Sequence, residues 1–168
     1  TLFNRIVGSQ QAIVEDRPGI TRDRKELEAE WLDIPFRVVD TGGWMPGGDE
    51  LDAKVSRQVE AAVKGADVVL FVVDASVGLT DDDSNIANWI RRSGTHVIVV
   101  ANKSDNENRE MTAVQFYELG LGEPIAISAY HDIGIREMMQ RVADFLPEAP
   151  SAGEAESALS IAIVGRPN

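Results

Sequence analysis

Two unbroken apolar runs constrain this chain more than any other feature. They are Asp67-Val68-Val69-Leu70-Phe71-Val72-Val73-Asp74 and His96-Val97-Ile98-Val99-Val100-Ala101. Neither alternates polar with apolar residues, so neither suits a strand with one wet face. Continuous β-branched runs of this length belong to strands buried on both sides, as in a parallel sheet covered by helices. Each run is followed by a polar turn and then a helix-like stretch. Asp81 to Arg92 places Ile86, Trp89 and Ile90 at helical spacing, and Thr112 to Leu119 places Val114, Tyr117 and Leu119 less regularly. Pro124 to Ser128 reads as a further short strand. Ile135 to Leu146 reads as a helix with Met138, Met139, Val142 and Leu146 on one stripe. Strand and helix in alternation predict an α/β fold with parallel strands and right-handed crossovers.

The first third reads differently. Thr1-Leu2-Phe3-Asn4-Arg5-Ile6 looks like a helix already under way, with Leu2 and Ile6 four apart and no capping residue before them. Gly8 to Arg24 holds Pro18-Gly19 and no firm periodicity, and a loop that long in a compact domain is usually functional or mobile. Lys25 to Leu32 and Pro35 to Asp40 are extended segments joined by a tight Asp33-Ile34 connection, which predicts an antiparallel hairpin at the sheet's edge. Gly42-Gly43 and Gly47-Gly48 bracket a second flexible stretch, followed by a helix from about Leu51 to Lys64. Pro147 to Ser157, rich in Pro, Ala, Gly, Ser and Glu, reads as a linker. The expected architecture is a mostly parallel sheet with helices on both faces and an antiparallel edge hairpin.

Composition removes several function classes. At 168 residues the chain is one domain's worth. Its formal charge of -12 argues against an intrinsic nucleic-acid surface or an anionic-membrane anchor, since both need clustered Lys and Arg. The absence of cysteine excludes disulfides and thiolate metal sites and fits a reducing compartment. No segment approaches the ~18 apolar residues of a membrane span, and no signal peptide opens the chain. The expectation is a soluble, cytoplasmic protein.

The chemistry concentrates at the ends of the predicted strands, where parallel sheets bind ligands. Asn102-Lys103-Ser104-Asp105 follows the second apolar run directly. There the Asp105 carboxylate can accept hydrogen bonds from guanine's ring N–H and exocyclic amine, whereas adenine would present lone pairs to it. Asn102 would orient the loop and approach the base's other edge, and the Lys103 stem would cover its face. Asp40-Thr41-Gly42-Gly43 follows the strand ending at Val39. Asp40 can hold a magnesium ion through water, and the Gly43 amide can approach a terminal phosphate because no Cβ blocks it. Thr21 can offer a hydroxyl to magnesium and an amide to the γ-phosphate. Ser128-Ala129 can present a backbone amide to the guanine carbonyl oxygen. Taken alone, each string is also a common strand-end turn.

The closing residues Ile161-Ala162-Ile163-Val164-Gly165-Arg166-Pro167-Asn168 look like a strand feeding a phosphate-binding loop. The full G-x-x-x-x-G-K-[ST] pattern nevertheless occurs nowhere in the chain. A loop threonine, Asp-x-x-Gly, Asn-Lys-x-Asp and Ser-Ala, in that order, resemble the translation-factor branch of P-loop GTPases. More narrowly, Pro18-Gly19-Ile20-Thr21-Arg22-Asp23-Arg24, Asp40-Thr41-Gly42-Gly43-Trp44 and Gly165-Arg166-Pro167-Asn168 resemble the Der (EngA) family, bacterial GTPases with two tandem G domains. The resemblance covers essentially the whole chain.

That resemblance implies a P-loop NTPase-type fold. It divides the chain into residues 1–146, a first G domain lacking its N-terminal strand and phosphate loop; 147–158, an acidic linker; and 159–168, the first strand and partial phosphate loop of a second G domain. It implies GTP and GDP as ligands, hydrolysis of GTP to GDP and phosphate, and a role in assembling the large ribosomal subunit. Thr1, Asp40, Thr41, Gly42, Gly43, Asn102, Lys103, Asp105, Ser128 and Ala129 would contact nucleotide, with Thr21 and Gly43 catalytic and Thr21 and Asp40 serving Mg2+. Trp44 stands where many small GTPases place a water-orienting Gln, or is simply a loop aromatic packed on the neighbouring helix. The resemblance implies K+ as a source of transition-state charge, with Asn168, which belongs to the second domain's loop and not to the first site, matching the family's potassium-binding Asn. The family's phosphate-loop Lys and Ser are missing, so the chain alone is expected to bind GTP poorly and hydrolyse it slowly.

A missing first strand would leave the centre of the sheet with unpaired backbone groups. Ile161–Val164 is a candidate to fill that slot, within one chain or by exchange, which requires it to lie beside Val38 and Val69. The alternative is that these residues are simply a piece of a larger protein. Two other function classes fit less of the sequence: a G-like scaffold module without turnover, and a phosphoacceptor receiver domain using Asp74 and Lys103. The latter leaves Asp105 and Asp40-Thr41-Gly42-Gly43 unexplained.

Overall fold

In a computed structural model, the structure describes residues 2–8, 25–31, 34–41, 59–145 and 159–165. Helix α1 (Leu2–Gly8) precedes the hairpin of β1 (Lys25–Trp31) and β2 (Ile34–Asp40). Helical residues 59–64 (α2) lead into β3 (Val68–Asp74), α3 (Asp81–Ser93) and β4 (His96–Asn102). Then come α4 (Glu107–Ala113), a 3-10 helix (Val114–Leu119), β5 (Ile125–Ala126), α5 (Ile135–Ala143) and β6 (Leu159–Gly165). The six strands form one sheet in the order β1-β2-β6-β3-β4-β5. The β1–β2 pair is antiparallel and at the edge, and every other pairing is parallel.

β6 occupies the centre. Its register sets Ile161 beside Val38 on one side and Ala162 beside Val69 on the other. The pairing that the slot-filling hypothesis required is therefore present within one chain. Alternation along β6 supplies both cores: Ile161 and Ile163 join α1 and α5 on one face, while Ala162 and Val164 join α2, α3 and the 3-10 helix on the other. Ile161, Ala162 and Val164 are fully buried. Two polar ties fix the strand's ends. Ser160 N–H donates to Asp67 Oδ2 at 2.7 Å, and the Thr41 hydroxyl donates to the Ile163 carbonyl at 2.8 Å.

Helices lie on both faces, as the two uninterrupted apolar runs require. The Thr80 hydroxyl and Asp83 cap the start of α3 reciprocally, and Gly94, at φ 73°, ends it. The stretch Thr112 to Leu119, read as one helix, divides differently. Asn106 caps the Arg109 N–H and starts α4 at Glu107, five residues earlier than the periodicity suggests. From Val114 the chain tightens into a 3-10 helix whose Phe116 and Leu119 are buried. Its β-branched and aromatic residues favour an α-helix weakly. The strand read over Pro124 to Ser128 shortens to Ile125–Ala126, followed by a single bridge from Ser128 to Ile133. The helix read to Leu146 ends at Ala143. Thr1, the loop carrying Thr21, the Gly42-Gly43-Trp44 stretch, the first part of the Leu51–Lys64 helix, the 147–158 linker, Arg166, Pro167 and Asn168 lie outside the described residues.

Candidate nucleotide site

Parallel strands end on one side of the sheet, so their last residues converge. Asp40 ends β2, Asp74 ends β3, Asn102 ends β4 and Gly165 ends β6, and all four line a cavity of about 660 Å3. That volume suits a nucleotide-sized ligand. Leu2 and Phe3 of α1 close one side, and Lys103, Asp105, Ser128 and Ala129 close another. Gly165 is a glycine for a steric reason: a Cβ there would stand 2.6 Å from the Val72 carbonyl oxygen.

The Asn102–Asp105 turn is held at every residue. Asn102 Oδ1 accepts the Ala129 N–H at 3.0 Å, joining the β4 turn to the loop after β5. Lys103 has φ 66°, a left-handed conformation that costs a non-glycine residue about 1–2 kcal/mol. Ser104 offsets that cost, donating its N–H to the Ile127 carbonyl at 2.8 Å and its buried hydroxyl to the Ala101 carbonyl at 3.0 Å. The Lys103 ammonium lies 2.6 Å from Asp74 Oδ2. Asp105 is paired with Arg109 four residues on, and His131 Nε2 stands 4.0 Å from its other oxygen. Arg109 also donates to the Lys103 carbonyl at 3.4 Å.

The Asp74 carboxyl is more acidic than an ordinary one. Burial pushes it up, but hydrogen bonds from Lys103 and from the Ser76 hydroxyl and amide outweigh burial and hold it below the usual carboxylate value. It is ionised at neutral pH.

The structure gathers Asp40, Asn102, Lys103, Asp105, Ser128, Ala129 and Gly165 around one cavity. Thr41 is placed differently. It is buried, and its hydroxyl and amide both donate to Ile163, so it stitches β2 to β6. The Ser128 and Ala129 amides also have partners, donating to the Ile133 carbonyl and to Asn102. An amide hydrogen bond to a base from Ala129 would be shared with Asn102. Thr1, Thr21, Gly42, Gly43, Arg166, Pro167 and Asn168 fall outside the described residues.

Three side chains at the site escape the motifs. Arg109 was visible as the i+4 partner of Asp105. Asp74 was visible as the carboxylate closing an apolar strand. Arg5 had no local signal: its guanidinium donates from α1 to the Ala129 and Tyr130 carbonyls, each at 2.9 Å, across more than 120 residues.

Residues 1–103 match the model of the 50S ribosome-binding GTPases, well over half of the chain. This chain belongs to that family. It is 50% identical to GTPase Der of Salinispora arenicola and of Moorella thermoacetica, and 48% identical to GTPase Der of Streptomyces coelicolor. All of this chain is covered in each case, but only 36%, 38% and 37% of those relatives. The chain thus spans little more than a third of their length, and the Der resemblance read from its motifs holds over all of it. Among solved structures, the G domain of FeoB from Methanococcus jannaschii superposes with TM-score 0.61 at 21% identity, over 85% of this chain and 86% of that one. A probable GTP-binding protein engB gives 0.60 at 20%, over 86% and 89%. These two share the fold. Family membership makes this a GTPase domain and sets aside the phosphoacceptor reading. Among the described residues, no helix is long and apolar enough to cross a membrane.

Proposed function

We propose that the cavity binds GTP and GDP, with the base against Asn102–Asp105 and Ser128–Ala129 and the phosphates toward Asp40, Gly165 and the start of α1. One observation carries the reading: the Asn102-Lys103-Ser104-Asp105 turn ends β4 at the cavity with its backbone fixed before any base arrives. Asp105 supplies the acceptors that guanine's N–H groups need, and unmatched buried donors are what penalise the wrong base.

Magnesium fits the residues present. Among the described residues no three acidic, His or Cys side chains are grouped to hold a metal by themselves. Asp40 at the cavity suits an ion bound by one carboxylate, water and the ligand's phosphates. Magnesium would neutralise charge on the phosphates, and Asp40 would position it through water. Thr21 and Gly43 would face the γ-phosphate, Thr1 the α-phosphate, and Thr41 and Gly42 would shape the adjoining backbone. With Trp44 in place of a polar water-orienting residue, K+ would supplement the positive charge.

In a protein of its relatives' length, we propose that this domain hydrolyses GTP during large ribosomal subunit assembly in the cytoplasm, and that residues 159–168 open a second G domain through Gly165, Arg166, Pro167 and Asn168. Within residues 1–146 the G domain stands before the 147–158 linker. Because the chain holds no G-x-x-x-x-G-K-[ST] pattern, it would hold nucleotide chiefly through the base and turn it over slowly. A non-hydrolysing scaffold module would bind GDP and GTP alike and release no phosphate at any length.

The direct test is base selectivity. Asp105→Asn replaces an acceptor by a donor and matches the 2-carbonyl of xanthine. In a titration followed by 15N chemical shifts, the variant should lose GDP and gain xanthosine diphosphate. Unchanged preference for GDP would refute the assignment.

A further inference from the structure

We propose that Asp74 is a positioning residue of the nucleotide site, acting through Lys103 to hold that residue's stem ready for a guanine base. The proposal rests on the guanine-nucleotide reading above. Asp74 belongs to none of the motifs that mark the site, yet it stands directly beside Asn102 in the β3–β4 register. Its two oxygens are divided between two tasks. Oδ1 accepts the Ser76 N–H at 2.9 Å and the Ser76 hydroxyl at 2.5 Å, which fixes the carboxylate plane against the turn after β3. Oδ2 is thereby aimed across to β4, where it receives the Lys103 ammonium at 2.6 Å.

The lysine is therefore held at both ends. Its backbone is locked in the left-handed region by the Ser104 hydrogen bonds, and its ammonium is moored on the neighbouring strand. The four-carbon stem must span the interval between them along the cavity wall, which Lys103 and Asp74 both line. A free lysine stem has many rotamers to lose when a flat base settles on it. A stem already spanning the wall has few, so part of the ordering cost of binding is removed in advance. Stability is a lesser outcome of this pair. With side chains 41% and 25% exposed it is well screened, and such ion pairs contribute little to folding. The effect belongs to affinity.

Asp74→Asn tests this, because the amide oxygen can still accept from Ser76 while the charge facing Lys103 is gone. GDP titrated into the 15N-labelled 168-residue chain should bind about threefold to tenfold more weakly than to wild type. The ligand-free melting temperature should stay within about 2 °C. In a Lys103→Met background, which keeps the stem and removes the ammonium, adding Asp74→Asn should change affinity less than about twofold. Lys103→Met alone breaks the pair from the other side without touching the Asp74–Ser76 turn, so it too should weaken binding. Equal weakening by Asp74→Asn in both backgrounds, a lowered melting temperature, or wild-type affinity in either single variant would overturn the proposal. No GDP-induced shift in the wild-type chain would instead overturn the guanine reading.

Discussion

The two ends of the cavity are built in opposite ways. At the end proposed for the base, Asn102, Lys103, Asp105, Ser128 and Ala129 come from neighbouring strands, and the hydrogen bonds that join them to one another and to Asp74 span at most 29 residues of sequence. At the end proposed for the phosphates, Leu2, Asp40, Ile163 and Gly165 meet from the far reaches of the chain, with Thr41 and Ile163 bonded 122 residues apart. Local turn chemistry makes the first. Only the docking of β6 makes the second, so base recognition and phosphate contact should fail separately.

Ile161→Ala should have the largest effect. The side chain is fully buried between β2 and β3, and its truncation should cost about 2–5 kcal/mol in chemical denaturation. A cost under 1 kcal/mol would mean that β6 leaves its slot readily, and the contrast drawn above would collapse. Next comes Asn102→Ala, which strands the Ala129 amide. A loss of about 1–3 kcal/mol is expected, with faster amide exchange confined to the loop after β5. Exchange rising equally in β2 would show that the two ends are not separate.

Arg5 is the described link between the ends, and Arg5→Ala should cost about 1 kcal/mol. Its signature would be loosening at Tyr130 with β6 still protected. The smallest effect concerns pH. Asp74 is held below 3.8, so its contribution is complete above that value and is lost as pH falls from there through the lower folded value. A titration from pH 7 to 5 should therefore leave the Lys103–Asp74 pair intact, read from the Lys103 side-chain 15N shift. Loss of the pair in that interval would contradict the sign.

What could be read from sequence follows the same division. The runs Asp67–Asp74 and His96–Ala101 announced buried parallel strands because nothing but double-sided burial tolerates such composition. Asn102–Asp105 was legible because its chemistry is contiguous. The place of β6 was legible only as a hypothesis, since a strand's apolar character says that it is buried but not between which neighbours. The inward turn of the Thr41 hydroxyl was hidden for a related reason: it depends on the parallel neighbour β6, which no local pattern names. Arg5 was beyond reach, as no local pattern couples it to Tyr130.

The central strand is also the last of the six to be synthesised. At about 5–20 residues per second, β3 waits on the order of 5–20 s after its own emergence before residue 165 is made. Through that interval the facing edges of β2 and β3 present unpaired amides and carbonyls flanked mostly by apolar side chains. Such edges invite pairing with other chains. For this chain, the middle of the sheet, and not its rim, is therefore the place that most needs protection until β6 docks.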